Sequence, residues 1–246
     1  MLDLKKTFEL RVLTPEISAA QADRLIYPGN SKLGKSYKKK MIWHFDLPSI
    51  HTCIYSQECV KLCYTTGGQF ELHASRFHQN YLVSKKPDFA EILIEEIENS
   101  KQLYKHEVEV FRPHVSGDFY DPEYVGKWEE IISYLLRVEF FFYTRSWQDP
   151  VMREMFNSMS ELPNVQIWYS LDRSTGCPKP SECAPGIKKA YMLVENEPEP
   201  IYDCDLIFRV DTSFPAKKIK SVQVCPAEQG IERKTPMTCQ TCQICL

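Results

Sequence analysis

The run Val108-Glu-Val-Phe-Arg112-Pro-His114-Val-Ser116-Gly117-Asp118-Phe-Tyr120-Asp121-Pro122, continued in Val138-Glu-Phe-Phe-Phe-Tyr143, decides the fold. Its first seven residues are rich in β-branched and aromatic side chains and read as a strand. Asp121 before Pro122 reads as a helix start, because aspartate suits the N-cap and proline the first helical position. Tyr124, Val125, Trp128, Ile131, Ile132, Leu135 and Leu136 then recur at helical spacing. Residues 138–143 are nearly all apolar, as expected of a parallel strand covered on both faces. Strand, helix and strand in this order make a βαβ unit with a right-handed crossover.

The same alternation extends both ways. Downstream, residues 150–160 read as a helix and 165–170 as a strand, with shorter strands at 190–194, 206–210 and 221–224. Upstream, residues 41–47 read as a strand closed by Pro48, residues 72–82 are weakly helical, and 87–97 are helical, with Phe89, Ile92, Leu93 and Ile97 on one face. The expected fold is α/β: a partial (β/α) barrel-like parallel sheet, with a cysteine loop after the first strand and a cysteine-rich C-terminal tail. The expected division is an N-terminal cap and basic loop over 1–40, a βα core over 41–224, and a cluster-binding tail over 225–246.

In parallel sheets of this kind chemistry gathers at the carboxyl ends of the strands. Cys53, Cys59 and Cys63 follow the first strand; His114, Ser116 and Asp118 the second; Thr144 and Arg145 the third; Asp172 and Arg173 the fourth. Arg209 and Asp211 end a later strand, and Cys225 closes the last. One rim is expected to collect them all. His114, Asp118 and Arg145 are the candidate catalytic groups, and Ser116, Gly117, Asp118 and Arg112 the candidate cofactor contacts. Their bland readings are a helix cap or turn for Asp118, a core histidine for His114, and an ion pair with Asp118 or Asp149 for Arg145.

The chain has ten cysteines. Thr-Cys53-Ile-Tyr-Ser-Gln-Glu-Cys59-Val-Lys-Leu-Cys63-Tyr64 offers three thiolates from one loop, enough to hold three corners of an iron–sulfur cubane and leave one iron open. Their bland reading is buried core thiols, and a closed zinc site is the more serious rival; it normally takes paired knuckles and four ligands, of which His51 or His73 would supply the fourth here. Cys225 and Cys239-Gln-Thr-Cys242-Gln-Ile-Cys245 supply four more thiolates, enough for a closed 4Fe–4S cluster. Zinc, an unliganded tail, or a tail cysteine completing the first cluster are the alternatives. Cys177 and Cys183, in a proline-rich loop, are either auxiliary ligands or plain loop residues, and Cys204 reads as structural.

The net charge is −3, so no global basic character advertises nucleic-acid binding. Lys32, Lys35, Lys38, Lys39 and Lys40 form a local basic run, either a solvated loop or a phosphate or nucleic-acid contact. The first residues lack the apolar core of a signal peptide, and the longest apolar runs are too short to span a bilayer. A cytoplasmic protein with no membrane partner is expected. In a cytosol, ten cysteines argue for metal or redox chemistry over a disulfide framework.

Gly29-Asn30-Ser-Lys32-Leu-Gly34-Lys35, Leu47-Pro48, the Cys53–Cys59–Cys63 block with Tyr64, Asn80, the Arg112-to-Tyr120 block, Tyr124, Trp128, Phe142-to-Ser146 and the terminal cysteines together resemble the bacteriophage and plasmid gene product 88 family. That resemblance implies a bacterial host cytosol and little about chemistry. The cysteine blocks and βα order are also similar to a distant, shortened radical S-adenosylmethionine enzyme. Such enzymes carry three cysteines on a 4Fe–4S cluster after the first strand and a cofactor-contacting turn after the second, where this chain has Ser116-Gly117-Asp118. Here five and then three residues separate the cysteines, wider than the usual spacing. The resemblance implies an enzyme that takes S-adenosylmethionine, a substrate and an electron donor. The rival expectation is a non-enzymatic iron–sulfur protein, for electron transfer, sensing, or nucleic-acid association through Lys35, Lys38, Lys39 and Lys40.

Overall fold

The computed structural model describes residues 24–30, 33–34, 40–63, 65, 72–194, 197–209, 218–219, 222–226 and 237–246. Lys32, Lys35, Lys38, Lys39, Tyr64 and Asp211 lie outside these. Nine strands among the described residues form one sheet: β1 (Tyr27–Pro28), β2 (Ile42–Phe45), β3 (Val110–Pro113), β4 (Glu139–Thr144), β5 (Val165–Leu171), β6 (Lys188–Leu193), β7 (Leu206–Arg209), β8 (Lys218–Ile219) and β9 (Val222–Val224). The order is β1-β2-β3-β4-β5-β6-β7-β9-β8. β2 through β7 and β9 run parallel, each beside the strand before it in this series, while β1 and β8 are antiparallel edges. The fold is thus mixed α/β with a mostly parallel sheet.

Seven helices accompany it among the described residues: α1 (Gln57–Lys61), α2 (Ala74–Ser84), α3 (Phe89–Glu98), α4 (Ser100–Tyr104), α5 (Pro122–Tyr134), α6 (Pro150–Met159) and α7 (Cys239–Cys242). α5 starts as its sequence dictates: the Asp121 side chain accepts a hydrogen bond from the Tyr124 N–H, and Pro122 opens the first turn. Asp149 and Pro150 repeat the device at α6, with Asp149 accepting from the Val151 and Met152 N–H groups. Leu136, expected on the buried face of α5, lies beyond the end of that helix and is 59% exposed. Leu135 terminates the helix, so the residue after it no longer follows the helical period.

Because strand side chains alternate, each strand serves two layers. Trp43, Phe45, Phe111, Phe140, Phe142, Ile167 and Tyr169 join the core with α3, α5 and α6. Trp128 of α5 packs its indole against Phe45, Phe89 and Phe111. The intervening residues Ile42, Val110, Phe141 and Trp168 face the opposite side, where no long helix lies among the described residues. That side is covered by Leu33 and the chain's last residues, Cys239, Cys245 and Leu246. The tail is held by hydrogen bonds from Gln240 N to Leu33 O (2.8 Å), Gln240 Nε2 to Lys40 O (3.0 Å) and Trp168 Nε1 to Cys245 O (3.2 Å).

Candidate functional site

The first cysteine loop is fastened at several points to the carboxyl rim of the sheet. Leu47 N donates to Ser116 O (2.9 Å), and Ser116 Oγ returns a bond to Leu47 O (2.9 Å). Gly117 sits at φ +82°, and a Cβ there would stand 2.6 Å from the Leu47 Cβ, so only glycine lets the second rim loop approach the cysteine loop this closely. Ser56 caps α1 by accepting from Cys59 N (3.0 Å) and donates its own hydroxyl to the buried carboxylate of Asp172. Arg173 grips Glu58 through Nε (3.2 Å) and Nη2 (2.9 Å). The loop carrying Cys53, Cys59 and Cys63 is thereby tied to the ends of β3 and β5.

Those three thiols act electrostatically on one another. Burial pushes the Cys53 thiol up, and the charges of Asp118, Cys59 and Cys63 push it further. Burial also raises Cys59, while the Arg145 guanidinium works the other way. Arg145 is mostly buried and pairs with Asp172 at 3.4 Å. At Cys59 the Arg145 guanidinium thus opposes burial and the charges of Cys63, Asp172 and Asp118.

Asp118 links the rim loops. Its Oδ1 accepts from Phe119 N (2.8 Å) and Thr144 Oγ1 (2.7 Å), and its Oδ2 from Arg145 N (2.8 Å). Burial pushes its carboxyl up to about 6 against these three bonds. The neighbouring helix is capped by Asp121, so Asp118 is a bridge between strand ends. His114 is 3% exposed, shares a hydrogen bond with Tyr124 Oη at 2.8 Å and sets its ring edge-on to Phe119 and Trp128. Burial lowers its pKa to about 3, so the ring is neutral and embedded in the helix-side core.

Arg112 projects to the opposite face, over the rings of Phe141 (5.8 Å) and Tyr143 (5.1 Å). There the second cysteine group gathers. Cys225, Cys239, Cys242 and Cys245 all line one small cavity, of about 20 Å³, whose apolar walls include Ile42, Phe141 and Leu206. Tyr143 Oη donates to Cys245 Sγ at 2.7 Å. Burial pushes the Cys245 thiol up to about 11; the Tyr143 bond and Arg112 pull it down, and the charges of Cys239 and Cys242 raise it. Of the residues expected on a single rim, Cys53, Cys59, Cys63, Asp118, Arg145 and Asp172 lie at the carboxyl ends of the strands, whereas His114 is turned into the helix-side core. Cys225, which follows β9, lines the cavity of Cys239, Cys242 and Cys245 on the opposite face of the sheet.

As the side chains stand, no group of three or more His, Cys, Asp or Glu among the described residues could hold a metal ion. A single zinc ion would need four donors drawn to about 2.3 Å from one point. A cluster would place each thiolate on a different iron and spread the donors further, and Cys225, Cys239, Cys242 and Cys245 are donors of the kind it takes.

One buried network has no counterpart in the sequence reading. Asp46 Oδ1 accepts from Val115 N (2.8 Å) and Ser116 N (3.1 Å), and its Oδ2 faces His44 Nδ1 (2.8 Å) and Arg76 Nη2 (3.3 Å). Burial opposes its charge, yet His44 and Arg76 hold the carboxyl well below the usual range. An aspartate directly after a strand was the available signal, and it props the turn that carries Ser116 to Asp118.

The family model described as Gene product 88 matches residues 23–246. No curated protein and no solved structure matches the chain. Among the described residues no helix is long and apolar enough to cross a membrane.

Proposed function

We propose that this chain, which belongs to the gene product 88 family, is an iron–sulfur protein with two thiolate centres. Cys53, Cys59 and Cys63 hold one cluster at the rim, and Cys225, Cys239, Cys242 and Cys245 hold the other on the open face. The observation that carries this reading is the cavity walled by four cysteines that are spread over 21 residues of sequence. Cys239, Cys242 and Cys245 come from one short stretch, but Cys225 stands 14 residues before it and meets them in the same cavity, which favours a shared ligand over chance packing.

The finer reading is an enzyme of radical S-adenosylmethionine type on a partial (β/α) barrel-like sheet. Its support is the winding of the parallel strands, which follow one another in chain order, and the position of three thiols at their carboxyl ends. When bound, a three-thiolate cluster supplies an open iron for the cofactor's amino and carboxylate groups and an electron for reductive cleavage of its sulfonium. In this reading Arg145, beside Cys59, balances the thiolates and attracts the cofactor's carboxylate. Ser116, Gly117 and Asp118 keep the second rim loop pressed to the cysteine loop, which fixes the direction of approach. Arg112 lies against the tail site and balances charge there.

A second reading, a non-enzymatic iron–sulfur protein for electron transfer, sensing or nucleic-acid association, is favoured by one observation. Both candidate proton-transfer groups are engaged: Asp118 accepts three hydrogen bonds and His114 is bonded to Tyr124 within the core. Of the lysines proposed to meet nucleic acid, Lys40 is described, and it is exposed and paired with Glu139 at 3.0 Å.

Purification of the full chain without oxygen, with iron and sulfide assays and electron paramagnetic resonance, tests the centre. A coloured protein with iron and sulfide in equal amounts is expected; colourless protein with stoichiometric zinc overturns it. Adding S-adenosylmethionine then separates the two readings. A changed resonance signal with cleavage of the reduced sample supports the enzyme, and a signal indifferent to the cofactor leaves the electron-transfer role.

A further inference from the structure

Tyr81, Tyr120 and Tyr124 form a file of rings that runs from the cysteine loop into the helix-side core. His51, two residues before Cys53, stands edge-on to Tyr81 of α2, with centroids 4.9 Å apart. Tyr81 meets Tyr120 at 5.3 Å, and Tyr120 stacks on Tyr124 of α5 at 4.4 Å with 12° between the planes. The two outer rings are partly buried and the third is 1% exposed. Such spacings are common among packed aromatics. What marks this file is the way charge and proton acceptors are distributed along it.

The outer pair sits under a cation. Lys85 Nζ lies 4.7 Å from the centroid of each of the rings of Tyr81 and Tyr120. A fixed ammonium there opposes removal of an electron from either ring. Tyr120 Oη shares a 2.8 Å hydrogen bond with Ser84 Oγ, and a neutral hydroxyl is too weak a base to keep a phenol proton. The inner ring is endowed the opposite way. Tyr124 Oη lies 2.8 Å from His114 Nε2, and Phe119 and Trp128 close edge-on around the imidazole. Burial holds the Tyr124 hydroxyl protonated and the His114 ring neutral. A phenol that has lost an electron is a far stronger acid than an imidazolium, even one destabilised by burial. Its proton can therefore cross to a bare Nε2 along a bond already made.

We propose that Tyr124, donating its hydroxyl to His114 Nε2, is a redox-active tyrosine that an oxidising organic or oxygen-centred radical at the rim draws on through Tyr81 and Tyr120. One electron leaves Tyr124 and reduces the radical, which takes a proton from water and becomes a closed-shell product. The Tyr124 O–H bond breaks, its proton forms an N–H bond at Nε2, and a neutral tyrosyl radical stays beside an imidazolium. A thiol reductant returns one electron later, and the imidazolium gives the proton back to the phenolate oxygen. The Lys85 ammonium keeps the oxidising equivalent from resting on the outer rings. Drawing it into the core spares the thiols of the neighbouring loop. None of this requires either cluster proposed above.

The test photo-oxidises the full chain with a ruthenium tris(bipyridine) sensitiser and persulfate, standing in for the rim radical, then freezes it for electron paramagnetic resonance. A tyrosyl signal is expected, narrowed by growth on ring-deuterated tyrosine and lost in Tyr124→Phe, which keeps the ring and removes the hydroxyl. A signal of full size in Tyr124→Phe, a signal from cysteine or tryptophan alone, or no signal in the parent overturns the proposal. His114→Asn should abolish or shorten the signal, and an equally long-lived radical there removes His114 as the proton acceptor. Tyr120→Phe should delay the signal without abolishing it; an unchanged rise removes the outer rings from the route. Where Tyr124→Phe does not fold, the unmutated chain grown on isotopically labelled histidine carries the test by electron–nuclear double resonance. Coupling of the tyrosyl to a histidine nitrogen places the radical at Tyr124, and its absence overturns the proposal. Because the readout is a protein radical, chain that holds no iron can still pass, and iron-loaded chain can still fail.

Discussion

His114 carries a charge-state prediction that its surroundings make specific. Its ring is buried, with Tyr124, Phe119 and Trp128 around it, and its pKa falls from 6.5 to about 3. A base with a depressed pKa binds fewer protons in the folded state. Its contribution to stability is therefore complete above pH 6.5 and drains away as the pH falls toward 3, by about 1.4 kcal/mol per unit. The backbone there has φ +60°, which asparagine tolerates better than most residues. His114→Asn should cost stability at pH 7 through the lost Tyr124 bond, yet flatten the acid side. Between pH 6.5 and 4.5 the wild type should lose about 2–3 kcal/mol more than the variant in urea unfolding; equal losses would show that the ring titrates normally. Tyr143 offers a second residue-scale check. Its hydroxyl donates to Cys245 Sγ, and in the proposed tail cluster a bond to that sulfur would stabilise the more negative, reduced state. A bond worth about 1 kcal/mol corresponds to roughly 40 mV for one electron, so Tyr143→Phe should lower the potential of the tail centre by tens of mV in a redox titration. An unmoved potential places the cluster elsewhere.

At the scale of elements, the cysteine loop is a short helix held from below. Ser56 both caps α1 and donates to Asp172, so Ser56→Ala removes two bonds at one position. The expected cost is about 1–2 kcal/mol in chemical unfolding, and, on the proposed two-centre reading, faster loss of iron from the rim centre while the tail centre keeps its share. Loss of iron in equal measure from both centres would argue against separate sites. α1 was hidden in the sequence because five residues with a cysteine at their centre give no period to read. The longer elements were legible for the opposite reason. α5 and α6 each begin with an aspartate and a proline, and each buries a face at helical spacing. The rim cysteines, Asp118, Arg145 and Asp172 were legible too, since the βα order alone sends residues after parallel strands to one edge. The tail was not, because nothing in Cys239-Gln-Thr-Cys242-Gln-Ile-Cys245 says which face of the sheet it will cover. The answer lies in distant partners: Leu33, Lys40, Tyr143 and Trp168.

At the scale of the whole molecule, the sheet has a helical layer on one face and the C-terminal segment on the other. Ile42, Val110, Phe141 and Trp168 are each no more than 2% exposed, and among the described residues the apolar cover on their side includes Leu33, Val115 and, from the C-terminal segment, Cys239, Cys245 and Leu246. A fully buried side chain of this size contributes about 1.5–3 kcal/mol relative to exposure, so the tail is part of the fold and not an appendage. If a metal also draws Cys225 to the tail, metal binding and the closing of this face are one equilibrium. Stripping the metal should then loosen the segment without unfolding the helical side: tail residues become protease-sensitive, amide protection falls in β2 to β5 on that face, and α5 and α6 keep their protection. Gly34→Ala perturbs the same contact from the other direction. Gly34 sits at φ +108°, and a Cβ there would stand 2.6 Å from the Gln240 Oε1 and 2.7 Å from its Cβ, so the substitution pries the tail from its seat. The variant should reproduce the stripped state's protection pattern and carry less iron than the parent by one centre's share. A Gly34→Ala protein with full iron and an undisturbed tail would mean that the cysteines are held by packing alone, and that the metal, if present, plays no part in closing the sheet.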